Sequence, residues 1–309
     1  MARYPTTTVD LDLAEQRWWH EHADLEERFC WVQPPEVQRR LRGHYLRRIA
    51  AEAGPADRVL EVGCGAGWLS LRLAEAGVAS VTGIDFSPEQ IRLAQAASAR
   101  QRAPGVSFEV ASVDDLVTTG RSFDVVLMHA FLHHLSTAEI REALAGTRRL
   151  LAPGGRLLVL EPVMHGAPGG RRPVALRILN KIERLPLGLS ARRLRPISPE
   201  ERAVRHRLEQ RPAAEAPFGP APKEVAFESD ELVALLEEQV RVDERMPVAS
   251  ACFLVAEQLL LAELSQPRLW KTLRAPVLRV TSALDRRLVG ASPPPDGVWI
   301  FELLICRTP

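Results

Sequence analysis

Two groups of residues in this chain have the types and spacing to do chemistry. The first is Glu61-Val62-Gly63-Cys64-Gly65-Ala66-Gly67, an acid followed by three alternating glycines. Val59-Leu60-Glu61-Val62 reads as a short buried strand, and Trp68-Leu69-Ser70-Leu71-Arg72-Leu73-Ala74 as a helix. A strand that turns on glycines into a helix makes a cradle for a small ligand. Glycine, lacking Cβ, takes positive φ and lets a ligand approach the backbone. The helix start adds free N–H groups and a positive dipole end. The dinucleotide fingerprint G-x-G-x-x-G would need its third glycine at position 68, where the chain has Trp68. Val81-Thr82-Gly83-Ile84-Asp85 adds an acid 24 residues after Glu61, placed to accept from both hydroxyls of a ribose. The second group is His129, His133, His134 and Glu161. Histidine titrates near working pH and suits a general base, and a carboxylate at the end of a strand can serve as a second one.

The elements that position these residues follow from periodicity. Strands are predicted at 58–63, 80–85, 106–111, 123–129 and 156–162, and helices at 67–76, 88–102 and 137–150. This alternation implies a parallel sheet with helices on both faces. Ligands of such sheets bind beyond the carboxyl ends of the strands, where every residue above falls. Upstream, 10–29 and about 36–53 have helical spacing, the second opened by Pro34-Pro35 and stopped by Gly54. Trp18, Trp19, Phe29 and Trp31 gather there, either as a helical pair packed on the sheet or as a lid over a ligand. Downstream, Ser229 to Gln239 reads as a helix, and Val240 to Glu244 and Gly297 to Cys306 as strands. Residues 249–290 look helical and run into Pro293-Pro294-Pro295.

The E-x-G-C-G-x-G pattern resembles the first motif of the class I S-adenosylmethionine (SAM)-dependent methyltransferases. Three further stretches resemble that family in the same order. Ala111-Ser112-Val113-Asp114-Asp115-Leu116 resembles its adenine-reading G-D-A-x-D-L, with Ser112 where the usual Asp stands. Phe131-Leu132-His133-His134-Leu135 resembles the turn after its fourth strand in the small-molecule branch. Leu150-Leu151-Ala152-Pro153-Gly154-Gly155-Arg156-Leu157 resembles its L-K-P-G-G-x-L turn. The resemblance covers about 59–163. It implies a Rossmann-like α/β fold: a seven-stranded, mostly parallel sheet with helices on both faces and the seventh strand antiparallel. To this it adds an N-terminal helical lid and two mainly helical insertions. The expected division is 1–55 lid, 56–164 SAM-binding core, 165–228 basic insertion, and 229–309 completing the core with an insertion at about 249–296.

The resemblance also assigns roles. Gly63, Cys64, Gly65 and Gly67 pass the amino-acid part of SAM, with Glu61 fixing it through backbone and water. Asp85 holds the ribose. Phe86 stacks near the adenine, and Ser112, Val113 and Asp114 lie beside it, the Val113 N–H needing no particular side chain. His129 lines the pocket near the sulfonium. His133 and His134 sit where the family's turn faces the methyl group, so one of them is expected to be the base, with Glu161 a second candidate. Methyl transfer has an excellent leaving group, so the protein mainly positions the acceptor and excludes water.

Composition narrows the partners. A net charge of +1 and 46% hydrophobic residues describe a globular chain with no global pull toward nucleic acid. The Asn/Asp-Pro-Pro-aromatic turn of amino-group methylases and the Pro-Cys pair of cytosine methylases are both missing after the fourth strand, where Met128-His129-Ala130-Phe131 stands. A small-molecule acceptor remains, whether secondary metabolite, sugar or lipid-like, with oxygen slightly favoured. The alternative is a silent SAM-binding accessory protein of the same fold. Residues 171–211 hold 12 Arg or Lys against 4 Asp or Glu, giving +8 locally. They form solvated helix faces, a docking face for an acidic or carrier-bound substrate, or a membrane-surface helix. No metal is expected, since His20-x-His22 and the His129/His133 pair lack completing carboxylates. Cys30, Cys64, Cys252 and Cys306 form no C-x-x-C pair, and Met1 to Thr6 lacks an apolar signal core, so a cytoplasmic location is expected.

Overall fold

The computed structural model describes residues 14–17, 19, 42–165, 227–250, 267–291 and 298–308. The expected basic insertion, the Pro/Ala-rich linker at 212–222, and Trp18, Phe29, Trp31, His20 and His22 lie outside them.

The elements are α1 (Gly43–Glu52), β1 (Arg58–Val62), α2 (Trp68–Glu75), β2 (Ser80–Asp85), α3 (Pro88–Gln101), β3 (Val106–Val110), α4 (Val113–Thr118), β4 (Phe123–His129), a 3-10 turn (Leu132–His134), α5 (Thr137–Leu150), β5 (Leu151–His165), β6 (Phe227–Glu228), α6 (Ser229–Glu237), β7 (Arg241–Ser250), α7 (Pro267–Val289) and β8 (Val298–Arg307). They form one sheet in the order β3-β2-β1-β4-β5-β8-β7, with β6 on β5. All neighbours pair in parallel except β8, which runs antiparallel between β5 and β7.

Alternation along the central strands divides the core between two faces. Val59, Val125, Leu127, Leu158, Leu160, Leu303 and Ile305 pack with Trp68, Leu69 and Leu73 on one face, where Tyr45 and Ile49 of α1 also lie. Leu60, Val62, Val126, Met128, Leu157, Val159 and Leu304 pack on the other with Ile140 and Leu144 of α5 and Leu232 and Leu236 of α6. Burial on both faces is why these strands read as unbroken apolar runs.

Three boundaries differ from expectation. β5 begins at Leu151, because a register slip between Phe123↔Leu151 and Val125↔Arg156 absorbs Pro153-Gly154-Gly155 into the ladder. β7 continues to Ser250, which still pairs with Ile300, so any second insertion starts beyond it. Its Pro247 is tolerated because β7 is the edge strand. Ser112 to Thr118, for which no element was predicted, is a helix with its N-cap. The order in which strands are added reverses between β1 and β4, the switch point beyond whose carboxyl ends a crevice opens.

Candidate active site

β1 delivers the glycine loop to that crevice. Gly63, Gly65 and Gly67 all have positive φ, at 68°, 50° and 79°. They serve different ends. A Cβ on Gly67 would lie 2.5 Å from Phe108 Cζ, and one on Gly83 would lie 2.7 Å from Phe108 Cδ1. These two glycines therefore make room for a core ring. A Cβ on Gly63 would strike the Phe131 ring at 2.4 Å, so the turn after β4 closes directly onto the loop. Cys64 is buried with Leu71, Ile91, Ala94 and Phe108, its side chain in the core.

Two carboxylates hold the loop in shape. Glu61 Oε2 accepts from Ser70 N at 2.9 Å and Ser70 Oγ at 2.5 Å, tying the end of β1 to the first turn of α2. Burial pushes its carboxyl up to about 8 against the pull of the Ser70 bonds. Asp85 bridges two turns: Oδ2 accepts from Gly65 N at 3.0 Å and Oδ1 from Ser87 N at 2.9 Å. It is half-buried, and burial pushes it up to about 6. Beside it Phe86 is 45% exposed, and Val110, its strand neighbour's last residue, 53% exposed. Two large apolar side chains in water at one sheet edge suit a flat apolar ligand.

Ser112 caps α4 in a reciprocal box with Asp115, so its hydroxyl is committed there. Val113 is buried under Gly146, and Asp114 is exposed on the rim.

His129 ends β4 between Tyr45 and Trp68, ring centroids 6.2 and 6.4 Å away. Burial pushes it down to about 3, and the Arg42 charge acts the same way. The Arg42 guanidinium lies 4.8 Å from the centre of the Trp68 ring. Trp68 Nε1 is buried with no hydrogen-bond partner among the described residues. Neither Arg42 nor the indole of Trp68 had been expected here. Trp68 was visible as the residue after the last loop glycine, whereas nothing in the local sequence marks Arg42.

Ala130 follows with φ 52°, a left-handed conformation a residue with a Cβ rarely adopts, and turns the chain into the 3-10 turn. The two histidines of that turn have ring centroids 4.0 Å apart. Each places Nδ1 on a different buried carboxylate. His133 Nδ1 is 2.6 Å from Glu161 Oε2, while Glu161 Oε1 accepts from Phe131 N and Leu132 N at 2.7 Å each. Glu161 is 0% and His133 4% exposed, and burial drives both toward the uncharged form, the acid up and the imidazole down. His134 Nδ1 is 2.9 Å from Oε1 of Glu15, and the His134 side chain is 14% exposed. Glu15 is a second residue that sequence reading missed; no local signal links positions 119 apart. Among the described residues no three His, Cys, Asp or Glu gather as a metal site, and no helix is long and apolar enough to cross a membrane.

Comparison with known proteins agrees with this arrangement. Residues 59–155 match the family described as methyltransferase domain. The 27-O-demethylrifamycin SV methyltransferase of Amycolatopsis mediterranei is 31% identical over 172 residues, covering 54% of this chain and 60% of that one. A ubiquinone biosynthesis O-methyltransferase of Xanthomonas oryzae pv. oryzae is 42% identical over 147 residues, covering 46% and 55%. The chain thus spans little more than half the length of these relatives. Among solved structures, the 4+2 cyclase SpnF aligns with TM-score 0.53 at 18% identity over 86% of this chain and 80% of that one. The cyclopropane synthase MmaA2 of Mycobacterium tuberculosis aligns with TM-score 0.52 at 16% identity over 86% and 83%. A cyclase and a cyclopropane synthase on one fold show that architecture alone does not choose the reaction. Over residues 59–155, which carry its glycine loop and paired histidines, the chain is similar to the family described as methyltransferase domain.

Proposed function

We propose that the protein transfers a methyl group from SAM to a hydroxyl of a small molecule, with His134 as the base. The observation that carries this reading is the pair of carboxylate-held histidines on the turn after β4, at the sheet edge that holds the glycine loop. The names of the two curated relatives, both methyltransferases and one an O-methyltransferase, point the same way.

The site suits SAM in each of its parts. Asp85 is the acceptor for the ribose hydroxyls. Phe86 and Val110 offer apolar surface to the adenine, with the Val113 N–H as its donor and Asp114 at the rim. Ser112, bound up in its cap, acts through backbone. The buried Arg42 cation and the unpartnered Trp68 N–H suit a carboxylate. Gly63, Cys64 and Gly65 give backbone contact, Glu61 holds the helix start, and His129 lines the wall. When bound, SAM supplies a methyl group made electrophilic by its sulfonium.

His133 and Glu161 form the floor of the turn rather than the base. Glu161 spends both oxygens on the turn, and His133 is buried against it. His134 is the more exposed ring, and Nδ1 held by Glu15 leaves Nε2 to take the proton of the acceptor hydroxyl. Residues 1–55 act as the lid, supported by Glu15 and Trp19 against His134. Chain leaves β5 at His165 and β7 at Ser250, two strands that run in the same direction on either side of β8. The buried, unbridged thiol of Cys306 fits a cytoplasmic location.

Calorimetric titration with SAM, S-adenosylhomocysteine (SAH) and NAD tests the cofactor. Both adenosyl ligands are expected to bind and NAD not; binding of NAD instead would overturn the reading. Asp85→Ala is expected to weaken SAH binding by about 1–3 kcal/mol through lost charge-assisted bonds. In an acceptor screen, His134→Ala should keep SAH affinity and lose about 10²–10⁴-fold in kcat. SAH binding with no transfer to any hydroxyl would favour the silent accessory reading.

A further inference from the structure

Glu15 lies 119 residues before His134, yet it is only 5% exposed and places Oε1 2.9 Å from His134 Nδ1. The same oxygen accepts from Trp19 Nε1 at 2.9 Å. The Trp19 ring stands edge-on to the His134 imidazole at 5.0 Å. An indole N–H can only donate, so Trp19 fixes Oε1 as an acceptor. His134 must then bring a hydrogen on Nδ1, and its lone pair is left on Nε2.

The groups around His134 come from four places. Glu15 arrives from the N-terminal segment, Asp85 from the end of β2, Glu161 from β5, and His133 from the same turn. Three are carboxyls. The field of His134 is felt at Asp85 and Glu161, where it favours their ionised forms.

We propose that Glu15 is the positioning residue of His134: it holds Nδ1–H, presents Nε2 to the acceptor, and stabilises the cation formed when Nε2 takes a proton. This rests on His134 being the base. In the step it assists, the acceptor O–H bond breaks and the proton goes to Nε2. The freed oxygen pair forms the new C–O bond to the methyl carbon, and the electrons of the S–C bond return to sulfur. The base is therefore complete only while the N-terminal segment is docked on the turn after β4.

The test uses full-length protein labelled with ¹⁵N-histidine and saturated with SAH, with the His134 signals identified by their loss in His134→Gln. Neutral wild-type His134 is expected to carry its hydrogen on Nδ1. In Glu15→Gln the amide oxygen can still accept while the charge is gone, so half-protonation should move down by about one pH unit, a tenfold weaker hold on the proton. Glu15→Ala should in addition mix the two tautomers, and Glu15→Asp should recover part of the shift. SAH affinity within about twofold of wild type certifies the fold of each variant. Unchanged titration and tautomer of His134 in Glu15→Gln and Glu15→Ala would overturn the proposal. With catechol as probe acceptor, Glu15→Gln should lower kcat about tenfold and leave KM in place. Wild-type turnover of catechol by His134→Gln, with the nitrogen shifts as expected, would remove the base assignment and leave the Glu15–His134 pairing standing.

Discussion

Glu61 shows how one buried acid can shape a glycine loop. Its Oε2 takes both the N–H and the hydroxyl of Ser70, which locks β1 to α2 across the three glycines. Burial holds the carboxyl protonated in the folded state up to about pH 8, above its ordinary value of 4.5. The sign follows from linkage: the stability it contributes is present below pH 4.5 and is lost as pH rises through 8. Glu61→Gln keeps an oxygen for Ser70 and removes the titration. Urea unfolding across that range should show the variant gaining on wild type with rising pH, by on the order of a few kcal/mol at the alkaline end. Parallel curves for the two proteins would mean that Glu61 is ionised in the fold. The same scale separates the two histidines, since their carboxyl partners come from different segments of the chain and the His134 side chain is the more exposed.

At the scale of elements, Phe108 explains more of the glycine pattern than a ligand does. Gly67, the N-cap of α2, and Gly83 in β2 both stand against its ring. Gly67→Ala meets a Phe108 carbon at 2.5 Å and must hold φ 79° with a Cβ, so it should cost about 2–4 kcal/mol in urea unfolding. Phe108→Leu in the same chain should return part of that, and the part not returned measures the backbone strain. The glycines and the strands were legible because each is a local signal, apolar runs marking β1, β4 and β5. Helix α4 was missed although Ser112 and Asp115 spell out a capping box, because a six-residue helix has too little periodicity to stand out. The start of β5 was misplaced because Pro153-Gly154-Gly155 signals a turn wherever it occurs, and only the pairing with Phe123 shows it to be a bulge. Arg42 and Glu15 were illegible for a different reason: their roles exist only through contacts between distant parts of the chain.

For the whole molecule, the sheet gathers the glycine loop, Asp85, Phe86, the histidine turn and Glu161 along one end from β2, β1, β4 and β5, four strands that are neighbours in the sheet but not consecutive in sequence. A ligand that bridges several of them should stabilise the entire fold. SAH at a hundredfold its Kd is expected to add about 2.7 kcal/mol and raise Tm by a few degrees in calorimetry. Asp85→Ala at the same SAH concentration should lose most of that rise. The place of β8 carries one more consequence, which concerns synthesis. It follows every other strand in sequence, yet it lies inside the sheet, bonded to β5 on one side and β7 on the other. While a ribosome is still making residues 298–307, β5 and β7 each expose an unpaired edge, and the nascent chain is open to wrong partners. A chaperone that shields those edges until the last strand emerges would raise the yield of folded protein, and a stop codon placed before Val298 should send the product to the insoluble fraction.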